Sequence, residues 1–372
     1  MNRKLNILYY FAETDSYMHQ WQRFHFLDEL GKSGHIITVF NPLKYSTIVE
    51  ANEILPEYIK NSGVKFDVFI NPAPSTVLSV QTIKAIKAIG LPSVLICLDN
   101  LHAPFIHKDI APFFDLVWLT SFETESLFNT WGCTTIFQPY AANPFQFKPE
   151  YGNELPGIGF VGSLYDDRVQ RVNQLTSGSV PCIIYSDMFS RSATATAGSK
   201  LGISEIVSLL GKLMLFPVGR RVAYGRIMNK INSGKNKLNT NPFLELLPSV
   251  PFDEINRVYS NHALSLNITE LRNTFNLRPP VHKLHLRTFE IPMCGGLQIA
   301  PYTDELASYF KEDVEIVLCR DNDEFISKSL FYLRPEKAAQ RMEMKQNARK
   351  RAESEHTWNT RFTKVFQKLF GS

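Results

Sequence analysis

The chain has 372 residues, 44% of them hydrophobic and 20% charged, with a net charge of +4. That length and composition suit two globular domains, and no apolar run approaches the roughly 20 residues a membrane helix needs. Its cysteines, Cys97, Cys133, Cys182, Cys294 and Cys319, are scattered and odd in number, with no C-x-x-C. They argue against a disulfide framework or a zinc site and for a reducing, cytoplasmic setting.

The N-terminal stretch MNRKLNILYYFAETD resembles a secretory signal, but its apolar core is only LNILYYF, and Glu13 and Asp15 follow at once. It predicts a first β-strand instead. WQRFHFLDELGKSG predicts a helix, with Trp21, Phe24, Leu27 and Leu30 at helical spacing and glycine stops. Then follow the strand IITVF, a helix over 46–60, the strand FDVFI, the helix SVQTIKAIKAIG, the strands SVLICL and LVWLT, the helix FETESLFNTWG and the strand TTIFQ. Short apolar strands separated by helices predict a parallel sheet covered on both faces.

YAANPFQFKPEYGNELPG, with three prolines, breaks this rhythm and reads as a linker near residue 150. The alternation restarts with IGFVG, a helix after DDR, and CIIYS. The stretch 187–247 reads as irregular. From Ile206 to Leu244 it has no Asp or Glu but carries Lys212, Arg220, Arg221, Arg226, Lys230, Lys235 and Lys237, so the basicity of the chain is local. PFDEINRVYSN, ALSLNI, HLRTFEIPMCGG, LQIAP, DELASYF, VEIVL and DEFISKSLFYL resume the α/β pattern. A charged helix, EKAAQRMEMKQNARKRAESE, leads into HTWNTRFTKVFQKLF. The expected organisation is two doubly wound α/β domains, 1–150 and 151–355, and a C-terminal helix over 356–372. Such sheets bind ligands at the carboxyl ends of their strands.

GIGFVG at 157–162 matches G-x-G-x-x-G, and Asp187 follows at a strand end. The dinucleotide fingerprint needs a strand before its first glycine, whereas here the strand lies inside the pattern. The preferred reading is a strand ending at Gly162, whose turn with Ser163 offers backbone N–H groups to a phosphate, with Arg168 on the next helix. The alternative is an ordinary tight turn. DND at 321–323 precedes a helix and reads as an N-cap rather than a metal motif. DNLH follows the strand SVLICL, so Asp99 and His102 are either substrate-facing, with His102 a candidate base, or a cap and a surface histidine. AETDSYMHQ offers Glu13, Asp15 and His19 after the first strand in the same way, with Asp15 or Ser16 as a plain cap the alternative. Within HLRTFEIPMCGG, Arg287 and Glu290 are either an i,i+3 ion pair or two arms of a ligand site. No G-x-S-x-G, H-E-x-x-H or Walker lysine loop occurs.

FVGSLYDDR, VPFDEINRVYSNHALSLNI, LRTFEIPMCGG and HTWNTRF, in that order, together with GCTTIFQPYAANPFQFKP, resemble the CgeB-like glycosyltransferases, relatives of glycosyltransferase family 4. The resemblance covers roughly residues 95–365. It implies the GT-B fold: two facing Rossmann-like domains, a nucleotide-sugar donor on the C-terminal one, the acceptor mainly on the N-terminal one, a last helix that crosses back, and no bound metal. By position, Glu290 matches the second glutamate of the family 4 Glu–seven residues–Glu motif, which holds the ribose. Gly162 and Ser163 match the phosphate-facing turn, and Arg287 matches the arginine of R-x-F-E, suited to the diphosphate. His282 stands where the first glutamate would be, a departure that leaves the sugar and the stereochemistry open. The implied activity is sugar transfer to a hydroxyl, with His102 or Asp99 as base, in the synthesis of a surface polysaccharide or glycan. A GT-B epimerase or hydrolase and a non-catalytic sugar-nucleotide-binding protein are the alternatives. The implied partners are a nucleotide sugar and a glycan, lipid-linked or protein acceptor, with no nucleic acid. VGRRVAYGRIMNKI, drawn as a helix, puts Ala223, Ile227, Met228 and Ile231 on one face, either a membrane-surface helix within 212–237 or a solvated insertion.

Overall fold

The structure is a computed structural model, and it describes residues 4–186, 203–231, 237–275 and 277–371. Asp187 and Lys235 lie outside the described residues. The chain divides into two compact units, Met1–Asn143 with Thr357–Ser372, and Pro144–His356.

In the first unit β1 (Asn6–Tyr10) leads into α1 (Tyr17–Gln22), a π-helical turn (Arg23–Asp28) and α2 (Glu29–Lys32). Then come β2 (Ile36–Phe40), α3 (Ile48–Asn61), β3 (Val68–Asn71), α4 (Val80–Ile89), β4 (Ser93–Cys97), β5 (Leu116–Leu119), α5 (Glu125–Thr130) and β6 (Thr135–Phe137). The strands form one sheet in the order β2-β1-β3-β4-β5-β6. Every pairing is parallel, for example Leu8 beside Thr38 and beside Phe69. VFIN, SVLIC and LVWL are buried at every position, as strands covered on both faces must be. The wide turn after α1 turns His25, Phe26 and Leu27 inward together.

The second unit runs β7 (Leu155–Val161), α6 (Asp166–Ser177), β8 (Cys182–Tyr185), α7 (Ile203–Leu213), α8 (Pro217–Ile231), β9 (Leu244–Leu247), α9 (Ile255–Asn261) and β10 (His262–Leu266). It continues with α10 (Arg287–Met293), β11 (Gln298–Pro301), α11 (Asp304–Tyr309), β12 (Val317–Cys319), α12 (Asn322–Tyr332) and α13 (Ala338–Glu355). Its sheet is also parallel, in the order β12-β11-β10-β7-β8-β9. The last helix, α14 (Trp358–Phe370), returns to the first unit. There Trp358 is fully buried and its indole N–H donates to His25 Nδ1 at 2.7 Å. A Glu29 carboxyl oxygen accepts from the Asn359 amide at 2.6 Å at the N-terminus of this helix.

Two stretches differ from the sequence reading. The proline-rich segment is not a free linker from Pro144 onward. Asn256 Oδ1 accepts from the Lys148 amide at 3.2 Å and Asn261 Oδ1 from the Gly152 amide at 2.5 Å, so α9 side chains bond backbone that has no strand partner. The stretch read as irregular contains α7, α8 and the edge strand β9, which continues β8 through the pair Ile183–Glu245. Its short LELL segment, next to so many charges, hid the strand signal.

His262, at the start of β10, is buried, and its Nε2 shares a 3.0 Å hydrogen bond with the Tyr185 hydroxyl. Burial first, then the nearby Lys345 charge, pulls its pKa down to about 4. An unfolded histidine titrates near 6.5, so between pH 6.5 and 4 the folded state binds fewer protons than the unfolded one. The stability from this group is therefore complete above pH 6.5 and is lost as pH falls toward 4. Glu29, raised by burial to about 8, acts with the opposite sign between its ordinary value and 8. The diagnostic is thus a difference: the wild type should lose about 3 kcal/mol more than His262→Gln between pH 7 and 4. Equal losses in denaturant melts of the two proteins would refute this.

Candidate functional site

In the second unit the chain leaves β7 for β8 and β9 on one side and later places β10 on the other, so the topological switch lies between β7 and β10. Ligands of doubly wound sheets bind beyond the carboxyl ends of such strands. Gly162 and Ser163 follow β7 there. Gly162 holds φ +139°, and a Cβ on it would sit 2.5 Å from Arg287 Nη2. That close approach belongs to glycine alone. Arg287, opening α10, donates from Nε to the Val161 carbonyl at 2.8 Å and lies 4.8 Å over the Phe160 ring. Arg168, opening α6, donates from Nη1 to the Ser163 carbonyl at 2.9 Å. Its guanidinium lies 4.2 Å over Tyr165 and 5.6 Å over Phe160.

So Gly162, Ser163, Arg168 and Arg287 converge on one strand end. One detail of the sequence reading changes. The Gly162 amide donates to the Tyr185 carbonyl at 3.0 Å and is committed to the sheet, so Gly162 acts here as a spacer for Arg287 rather than as a phosphate donor. The remaining glycines of GIGFVG have local duties as well. A Cβ on Gly159 would lie 2.4 Å from the His262 ring. Since β7 spans Leu155–Val161, the first five residues of the pattern lie within the strand and Gly162 just after it.

Glu290, one helical turn beyond Arg287, is 8% exposed. Arg287 turns its Nε to β7, and Glu290 is buried on α10. His282 Nδ1 bonds the Thr269 hydroxyl at 2.9 Å, and its backbone bridges Glu270. Burial lowers the His282 pKa. Beside it lies a pair the sequence did not reveal. Arg171 Nη2 donates to Glu270 Oε1 at 2.7 Å, both side chains are buried, and Arg171 Nη1 donates to Asn322 Oδ1 at 2.7 Å. Asn322 belongs to DND, whose Asp321 caps α12 by accepting from the Glu324 amide at 2.8 Å.

In the first unit the switch lies between β1 and β3, and Glu13, Asp15 and His19 follow β1. Both Glu13 oxygens accept from Arg23 at 2.5 Å, a bidentate pair that orders this loop. His19 Nδ1 bonds Thr14, Ser16 caps α1, and Asp15 is exposed. Asp99 and His102 share one turn after β4, with the His102 amide donating to the Asp99 carbonyl at 2.9 Å. Asp99 holds φ +56° and its carboxylate accepts from the Tyr140 hydroxyl at 3.2 Å. Both residues are exposed. The buried Asn100 between them braces the turn through Thr120, Ser121 and Thr124.

Solved structures with this architecture cover the whole chain. A sucrose-phosphate synthase from Thermosynechococcus elongatus matches with TM-score 0.54 at 12% identity over 99% of this chain and 100% of its own. HepE from Anabaena, solved with UDP-glucose, matches with TM-score 0.55 at 12% identity over the same shares. This is the GT-B fold. An α-glucosyltransferase solved with UDP-glucose and DNA containing an abasic site extends the GT-B set, with TM-score 0.62, 11% identity and 99% of each chain covered. Residues 218–367, which include α10 and most of α14, match the family model described as glycosyl transferase-like. No curated protein matches this GT-B chain in sequence.

The basic helix α8 is oriented differently from the face drawn on the sequence. Ala223 is buried together with Gly219, Val222 and Gly225, whereas Ile227 and Ile231 are 50% and 71% exposed. Packing on the second unit, not the apolar count, selects the inner face. No helix among the described residues is long and apolar enough to cross a membrane.

Proposed function

We propose that this protein is a CgeB-like glycosyltransferase that moves a sugar, a hexose by preference, from a nucleoside-diphosphate donor to a hydroxyl. Residues 151–355 carry the donor site and residues 1–150 the acceptor side, with 356–372 completing the latter. The observation that carries this reading is the convergence of Arg287, Arg168 and the Gly162–Ser163 turn at the switch point of the second sheet. Charge develops on the diphosphate as it leaves, and prearranged guanidinium forks and a backbone N–H stabilise it without reorganising and without a metal. Glu290 holds the donor ribose. His102 or Asp99 takes the proton of the acceptor hydroxyl, and Glu13, Asp15 and His19 line the acceptor side. The UDP-glucose in the HepE and α-glucosyltransferase structures supports the donor class.

The acceptor is a glycan, lipid-linked or protein hydroxyl of the cell envelope rather than DNA, and the protein works in the cytoplasm. A thermal-shift panel of UDP, GDP, ADP and CMP tests the donor site, with stabilisation expected from one nucleoside diphosphate. No shift with any of them would remove the donor reading. Release of the nucleoside diphosphate only when acceptor is present marks a transferase, and acceptor-free donor turnover marks an epimerase or hydrolase.

A peripheral membrane contact through 212–237 belongs to the same reading. What supports it is an outward stripe on α8, Tyr224, Ile227 and Ile231, with Met214 and Leu215 just before the helix, all at least half exposed. Lys212, Arg220, Arg221 and Lys230 surround it, a pairing of apolar tips and bases that suits anionic lipid. Sedimentation with vesicles containing phosphatidylserine should fall several-fold for Ile227→Ser with Ile231→Ser. Equal binding by both proteins would exclude this face.

A further inference from the structure

The inner side of α8 meets the loop that follows β10. At Gly225 a Cβ would lie 2.4 Å from the Asn273 carbonyl oxygen, so only glycine lets the helix come this close. Asn273 itself holds φ +69°, and its Oδ1 accepts from Asn229 Nδ2 at 2.7 Å. This docking brings Arg226, the neighbour of Gly225, close enough to Arg272, the neighbour of Asn273, for their charges to act on each other. Arg272 lies 5.0 Å over the ring of Tyr165, which also carries Arg168 at 4.2 Å. Arg168 in turn bonds the Ser163 carbonyl. A continuous line thus runs from Arg226 through Arg272, Tyr165 and Arg168 to the strand end where Arg287 stands.

Two guanidiniums whose charges act on each other, one of them half-buried, repel more than they would in water. Burial and the Arg272 charge accordingly both work against the charged form of Arg226. An anion with several oxygens reverses that balance, because each planar fork gains charge-assisted hydrogen bonds while the repulsion is neutralised. We infer that Arg226 and Arg272 extend the phosphate-binding surface of the donor site, so that the α7–α8 segment between β8 and β9 supplies a ligand-binding residue for a diphosphate. This rests on the donor-site reading above.

The test is calorimetric titration of inorganic pyrophosphate into the full chain. Arg226→Gln and Arg272→Gln should each weaken binding about tenfold. Arg220→Gln, on the exposed side of the same helix, should stay within about twofold. If Arg226→Gln lowers the melting temperature, Arg226→Lys is read in its place. It keeps the charge, loses the fork, and should weaken binding by about threefold. Wild-type affinity in the Arg226 and Arg272 variants, with binding lost in Arg287→Gln, would overturn the inference and leave the donor site standing. Equal weakening by Arg220→Gln would show a general field rather than a contact, and would overturn it too. A wild type that binds neither pyrophosphate nor any nucleoside diphosphate would remove both readings.

Discussion

Arg287→Gln is expected to lower kcat/KM for sugar transfer by about a hundredfold while leaving the protein folded. Removing one prearranged donor to a developing charge typically costs a factor of about 10²–10³. Arg287 is held for that task from three sides: its Nε is fixed by the Val161 carbonyl, its plane lies over Phe160, and its Nη2 fits the space that Gly162 leaves open. The structural loss is one neutral-acceptor hydrogen bond, about 1–3 kcal/mol, which a protein of this size tolerates. Gly162→Ala should reach the same defect by another route, since its methyl group would displace the guanidinium and its φ disfavours any side chain. Glu290→Gln should weaken nucleotide binding by about tenfold with little change in melting. Full transfer activity in Arg287→Gln, measured on the donor that the thermal-shift panel identifies, would contradict the assignment.

The largest loss of stability is expected at Glu270→Ala. Glu270 and Arg171 are both buried and bonded at 2.7 Å, and removing one partner leaves the other as an uncompensated buried charge. Such a break costs about 3–5 kcal/mol, or about 10 °C in the melting of a unit of this size. Arg171 also lies 4.1 Å over Phe325 and 5.2 Å over Phe275, so its stem and plane pack the loop after β10 as well as pairing it. Glu270 opens the loop that carries Arg272, Asn273 and His282. Its loss should therefore weaken pyrophosphate binding together with stability. Arg171→Met combined with Glu270→Leu should recover most of the stability, since similar-sized apolar residues remove both charges at once. A melting temperature for Glu270→Ala within about 2 °C of wild type would show that the pair carries no such energy.

The architecture was legible because it is written in local periodicity. LNILYYF, SVLICL, LVWLT and ALSLNI are apolar runs too short for anything but strands, and the helices between them force parallel pairing. The two edges of that legibility are informative. LELL gives no strand signal because an edge strand needs less apolar character than a central one, and the run of bases before it resembles a solvated loop. The proline-rich stretch after Tyr140 lacks regular structure, as its composition predicts, yet it is tied down by Asn256 and Asn261, more than a hundred positions away.

The candidate site was legible only where a residue's role is local. Gly162, Ser163 and Arg168 stand within seven positions and could be proposed from a strand and a helix start. Asp321 could be read as a cap because capping is a contact three residues long. Arg287 and Glu290 could be placed near each other, but which way Arg287 turns depends on Val161 and Phe160, over a hundred positions earlier. Glu13 reads in the sequence as a substrate-facing carboxylate, whereas in the structure Arg23 holds both of its oxygens. Helix α8 shows the limit most plainly. Its composition permits several apolar faces, and a 3.6-residue period cannot choose among them. Gly225 and its approach to Asn273 make that choice, sending Arg226 inward and Ile227 and Ile231 outward. By itself, then, the sequence determined which segments are strands and helices, because that depends on neighbours a few residues apart. Which charges face one another was decided only by the tertiary structure, since that depends on loops brought together from opposite sides of a parallel sheet.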